Sequence, residues 1–204
     1  MDPDAVEIRV LGCLLEKQRT TPDAYPLSLN ALRLACNQST NRDPVVEYGE
    51  ATIREALHRL HRRGWTRLAS GAGSRAAKYR HLLDEAIGVG RDEQAVLCVL
   101  MLRGPQTLGE LKTRTERMHP FADLGEVQDV LDRLSDREFV ARLQRRPGQK
   151  EDRFAQLMGG DAEQEAPAPA AAPAAAPAAA AAGDLVARVE RLERQVAELR
   201  ERLS

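Results

Sequence analysis

Apolar and polar residues alternate along this chain with helical and then strand spacing, and the same succession occurs twice. Val6, Ile8, Val10, Leu11, Leu14 and Leu15 fall at mostly helical intervals, so a first helix is predicted from a cap at Asp4 to about Arg19, stopped by Thr21-Pro22. Ser28 then precedes Leu29, Leu32 and Leu34, a second, short helix ending near Cys36-Asn37; Asn41 to Pro44 forces a loop. A third helix is predicted from Glu50 to Arg63, closed by Gly64. Trp65-Thr66-Arg67-Leu68 alternates as a strand, residues 70–74 turn, and Ala77-Lys78-Tyr79-Arg80 returns.

The second copy places helices near 92–103, 107–115 and 124–137, then pairs Phe139 to Leu143 with Asp152 to Ala155. Val10 to Leu15 corresponds to Val96 to Met101 at an offset of 86, and Leu57-His58-Arg59-Leu60 with Trp65 corresponds to Leu131-Asp132-Arg133-Leu134 with Phe139 at 74, so copy one is 12 residues longer between these points. The predicted class is mainly α with small β-hairpins (α+β). Three helices followed by a hairpin is the order of a winged helix, so two tandem winged-helix domains are expected, at 1–83 and 84–158.

Beyond Met158 the pattern changes. Residues 159–183 are mostly Ala, Pro and Gly, the composition of a semi-extended linker. In 184–204, Leu185, Val189, Leu192, Val196, Leu199 and Leu203 are spaced as heptads with Val at a and Leu at d, which favours a parallel two-stranded coiled coil and a homodimer. The alternative is a solvated amphipathic helix folded back on the body.

Charge separates the copies. The net charge is −1, but residues 1–83 carry 13 Lys/Arg against 9 Asp/Glu, 84–158 carry 12 against 14, and 159–204 carry 5 against 8. Phosphate attraction is therefore expected in copy one. Opposite the apolar stripe Ile53, Leu57 and Leu60, its third helix should turn out Glu55, His58, Arg59 and Arg62. The third helix of copy two should turn out Asp129, Asp132, Arg133 and Asp136, a face that repels DNA and suits a protein partner. The hairpins add Arg67, Arg75 and Lys78, and Arg145, Arg146 and Lys150. Each of these surfaces also has a plainer explanation as solvated charge. Asn37, Gln38, Asn41 and Arg42, just ahead of the third helix, offer donors for bases or phosphates; the same residue types equally favour a loop bonded to itself.

No apolar run approaches the roughly 18 residues of a membrane span, and the acidic N-terminus differs from a basic signal peptide, so a cytoplasmic location is expected. Cys13 and Cys98 lie in the apolar stripe of the first helix of each copy and Cys36 near the end of the second helix of copy one, all without metal-ligand spacing, and core filling is their expected role. The four histidines show no metal spacing either, and no catalytic or glycine-rich phosphate motif occurs. A non-enzymatic protein without metal or cofactor is expected.

Leu14-Leu15-Glu16-Lys17-Gln18, Thr20-Thr21-Pro22, Tyr25-Pro26-Leu27-Ser28-Leu29-Asn30, Ala35-Cys36-Asn37-Gln38 and Asn41-Arg42-Asp43-Pro44-Val45, joined in copy two by Leu102 to Leu111, resemble the YceH family of bacterial proteins over roughly residues 5–158. The resemblance implies a tandem winged-helix fold and brings no assigned site residues. The leading expectation is a DNA-binding, transcription-regulator-like dimer whose first copy contacts duplex DNA. The alternative is a protein-interaction scaffold without DNA binding, resembling a segregation-and-condensation subunit.

Overall fold

A computed structural model describes residues 2–69, 77–145 and 151–159. All of them lie in the first, 1–166, of two units into which the chain divides. The expected 184–204 helix and, apart from Gly159, the 159–183 linker fall outside the described residues.

The architecture is mixed α and β. Helix α1 (Ala5–Thr20) begins with a reciprocal cap in which Asp4 accepts from the Glu7 N–H and Glu7 from that of Asp4; a short 3₁₀ turn follows at Pro22–Ala24. Strand β1 (Leu27–Ser28) leads into α2 (Leu29–Cys36), whose cap is Ser28. Helix α3 (Glu50–Arg62) runs into β2 (Thr66–Leu68) and β3 (Lys78–His81). The strands form an antiparallel sheet ordered β1-β3-β2. Short α4 (Leu83–Ile87) joins the copies. Then come α5 (Arg91–Arg103), α6 (Leu108–Thr115), α7 (Leu124–Asp136), β4 (Val140–Leu143) and β5 (Arg153–Gln156), the strands again antiparallel.

Two features escape the hydrophobic pattern. Strand β1 and the bridge from Gln106 to Phe154 put a short third segment beside each hairpin, held by backbone pairing that side-chain periodicity does not report. Helix α4 is too short for its period to show.

The stretches 1–83 and 84–158 share one core. Buried Leu11, Leu14, Leu32, Ile53 and Leu60 of the first belong to the same cluster as Leu97, Leu100, Leu111, Leu131 and Leu134 of the second. Helices α1 and α5 run antiparallel at its centre: Arg19 donates to Gln94 at one end (3.3 Å), and Gly12 lies against Met101 and Leu102 towards the other. A Cβ on Gly12 would stand 2.9 Å from Leu102 Cδ2, so the absent side chain sets the approach of the two helices. The Cys98 thiol donates to the Gly12 carbonyl at 3.3 Å. All three cysteines are buried and unbridged, as core filling requires. No helix among the described residues is long and apolar enough to cross a membrane.

Candidate nucleic-acid interface

Helix α3 buries Ile53, Ala56, Leu57 and Leu60 in the core. The rest of its surface divides into a flank towards α1 and an outward side. On the α1 flank, Arg59 donates to Glu7 at 3.0 Å and Asp4 at 2.5 Å, and Arg63 donates to Glu7 at 3.3 Å while its guanidinium stands over the Trp65 ring. Glu7 is only 2% exposed. A carboxylate so withdrawn from water needs these charged donors, so Arg59 is a clamp between helices rather than an outward contact. That corrects its expected place on the DNA face.

The outward side keeps the other expected residues and adds two. His58 and Arg62 are exposed, as is Glu55, which stands 3.8 Å from Arg59, and so are Arg54 and His61 on the flank away from α1. Among the described residues, neither Arg54 nor Arg62 has an ion-pair or hydrogen-bond partner. Arg54 was legible in the sequence, one turn before His58, but it lies nearer the edge of the polar arc than its centre.

The polar cluster ahead of α3 turns inward. Arg42 is buried, and its guanidinium meets Glu16 at 2.7 and 3.1 Å, Gln38 at 2.8 Å and the Ala35 and Asn41 carbonyls. Burial works to raise the Glu16 carboxyl, but the bonds and charge of Arg42 outweigh it and hold the group below the ordinary carboxylate value. Asn37 exchanges two hydrogen bonds with the Tyr48 backbone, each 2.9 Å. Asn41, in the left-handed region at φ 60°, accepts from Arg103 across the copies. Arg9 joins the brace by donating to the Cys36 and Pro44 carbonyls. Asn37, Gln38, Asn41 and Arg42 thus hold the loop to the core, the self-bonded outcome, because buried donors must find partners.

Of the hairpin cations, Arg67 and Lys78 are exposed. Arg145 is exposed too but paired with Asp152, which also receives Arg142. Arg75, Arg146 and Lys150 lie outside the described residues.

Copy two carries the opposite sign in the same place. Its α7 buries Val127, Val130, Leu131 and Leu134 and exposes Asp129, Asp132 and Asp136. Its clamp, however, repeats: Arg133 reaches Asp92 at 2.5 Å and Glu93 at 3.8 Å, Arg137 reaches Glu93 at 3.5 Å, and Arg137 stands over Phe139. Among the described residues no group of three or more His, Cys, Asp or Glu is arranged to hold a metal ion.

Residues 4–149 match a family described as a protein of unknown function, DUF480. Among similar proteins, a UPF0502 protein of Pelobacter propionicus is 50% identical over 200 residues, covering 97% of this chain and 90% of its own. One from Solibacter usitatus is 51% identical over 97% of this chain and 92% of its own. The UPF0502 protein YceH of Salmonella paratyphi B is 45% identical over 98% and 93%. The likeness therefore extends past residue 158, where the family motifs read from the sequence ended.

Proposed function

The chain belongs to the DUF480 family, the UPF0502 or YceH proteins, and from that premise we propose that it is a non-enzymatic, cytoplasmic DNA-binding protein of transcription-regulator type. In this reading both copies are winged helices, and copy one presents α3 to duplex DNA. The observation that carries it is the outward side of α3, where Arg54, His58, His61 and Arg62 are exposed and the two arginines have no partner among the described residues. A helix of this kind behind two others is the element that enters a major groove, and unpaired guanidiniums suit phosphate oxygens and guanine edges. The acidic face of α7 gives copy two a different task, bridging or modulation.

Binding of the full chain to a random-sequence duplex, measured against salt, tests the proposal. Affinity should fall steeply and linearly in log–log form, and Arg54→Glu with Arg62→Glu should abolish it. Affinity indifferent to salt, or to that pair, would count against the assignment. Arg59 is unsuitable for this test because its loss would disturb the Glu7 clamp.

A second reading, a protein-interaction scaffold, draws support from Asp129, Asp132 and Asp136 with Leu124, 46% exposed, on the same helix. A homodimer through Leu185, Val189, Leu192, Val196, Leu199 and Leu203 belongs to the main proposal. Sedimentation of a chain ending at Met158 should then show a monomer, and a dimer surviving that truncation would place dimerisation elsewhere.

A further inference from the structure

In the sheet of copy one, Thr66 pairs with His81 and Arg67 with Arg80, and β3 continues through Tyr79 to Lys78. Thr66 and His81 are buried, so the alternation of the strands puts Arg67, Arg80 and Lys78 together on the opposite, outer face. Two arginines directly opposite each other across antiparallel strands repel. One carboxylate offsets this: Arg80 donates to Glu85 at 2.9 Å. Arg67 has no partner among the described residues, and the Arg80 Nε is a buried donor without one there. The sheet of copy two has the same register and none of the repulsion, for Ala141 pairs with Ala155 where copy one pairs arginines. The fold thus accepts small neutral side chains at these positions, and copy one carries cations there at a cost that the fold does not require.

We propose that the outer face of the β1-β3-β2 sheet is a second phosphate-contacting surface, in which the opposed Arg67 and Arg80 take up backbone phosphates of the duplex whose groove receives α3. It rests on the DNA-binding reading above and adds Arg80, which sequence reading did not select. Only the strand register reveals it, since Arg80 becomes Arg67's neighbour through pairing across the sheet. A phosphate between two guanidiniums turns their repulsion into shared attraction and supplies acceptors to the exposed Arg67, while Arg80 would meet it through the outer edge of its half-buried guanidinium.

The test compares the full-length wild type, Arg67→Ala with Arg80→Ala, the charge-only Arg67→Gln with Arg80→Gln, and Arg54→Glu with Arg62→Glu on one random-sequence duplex over a range of salt. Both sheet variants should stay folded, with thermal midpoints equal to or above wild type because a like-charge pair is gone. Their log affinity should depend less steeply on log salt, the slope shrinking by about 2 for two lost phosphate contacts. A wild-type chain without salt-dependent binding would overturn both readings. A wild type that binds, loses binding with the α3 variant and keeps its full slope in both folded sheet variants would overturn this one alone. The glutamine pair decides the matter if the alanine pair fails to fold.

Discussion

The two copies repeat their electrostatic clamp and diverge almost everywhere else that charge is involved. Glu7 with Arg59 and Arg63 recurs as Glu93 with Arg133 and Arg137, down to the aromatic ring beneath the second arginine, Trp65 or Phe139. The loops before the third helices do not repeat. Copy one ties its loop down with buried Arg9 and Arg42, whereas the corresponding loop of copy two is anchored by buried Phe121, and the position matching Arg9 holds Ala95. Glu16, the partner of Arg42, matches Leu102. What is duplicated is the means of fixing the third helix to the first. The faces of the third helices, with no packing to satisfy, have taken opposite signs.

The largest expected effect separates the two kinds of loop anchor. Arg42→Ala should destabilise the chain by about 3–5 kcal/mol, because it strands Glu16 and several buried acceptors without their donor. Urea unfolding should show one transition for the whole body, given the shared core, with a lower midpoint and unchanged slope. A loss below about 1 kcal/mol would mean the brace is not what holds the loop.

Acid sensitivity should belong to copy one. His81 is buried, its Nδ1 faces the Leu83 N–H and its Nε2 meets Gln18 Oε1 at 2.7 Å. These contacts suit a neutral ring, and burial pushes its pKa from 6.5 down to about 4 despite Asp84 nearby. Above about 6.5 the ring is neutral in both states and costs nothing. As pH falls from there towards 4 the unfolded chain takes up a proton that the folded chain refuses, so stability declines, by up to about 3 kcal/mol. Copy two has Gln156 at the matching register, opposite Val140. His81→Gln should therefore flatten this part of the stability–pH curve between 6.5 and 4, and an unchanged curve would assign the sensitivity to other groups.

Glu7→Gln and Glu93→Gln probe the duplicated clamp. Each removes the charge while keeping an acceptor, and each should cost on the order of 1.5–3 kcal/mol. Unequal losses in thermal unfolding would show that the repeat is geometric only.

The smallest effect concerns the turn after each third helix. Gly64 and Glu138 occupy matching positions with φ of 76° and 58°. Only the glycine adopts that conformation without strain, so Glu138→Gly should raise stability by roughly 0.5–1 kcal/mol, read as a small rise in thermal midpoint.

The elements themselves were legible because each amphipathic helix buries a stripe and carries its own stop signal. Asp4, Ser28, Thr21-Pro22 and Gly64 mark ends that the structure places within a residue or two. The polarity of the third-helix faces was legible for the same reason: where neighbours are absent, the wheel alone decides exposure. It failed at Arg59, whose partners lie in another element, since no local pattern reveals that Glu7 waits 52 residues away. At Asn37 and Arg42 residue type left two readings open, and partners such as Tyr48 and Glu16, distant in sequence, decide for the self-bonded loop. Arg80 was missed for the same kind of reason.

Gly12 and Cys98 are equivalent positions of the two copies, and they touch. A residue meeting its own counterpart marks a two-fold axis, so α1 and α5 meet as the matching helices of a symmetric dimer would, with a covalent tether between them. In such a dimer made of identical chains every substitution appears twice, and a face cannot turn basic on one side and acidic on the other. Fusion into one polypeptide lifts that constraint: the axis survives in the core, where packing enforces it, while each half inherits its own surface to alter independently.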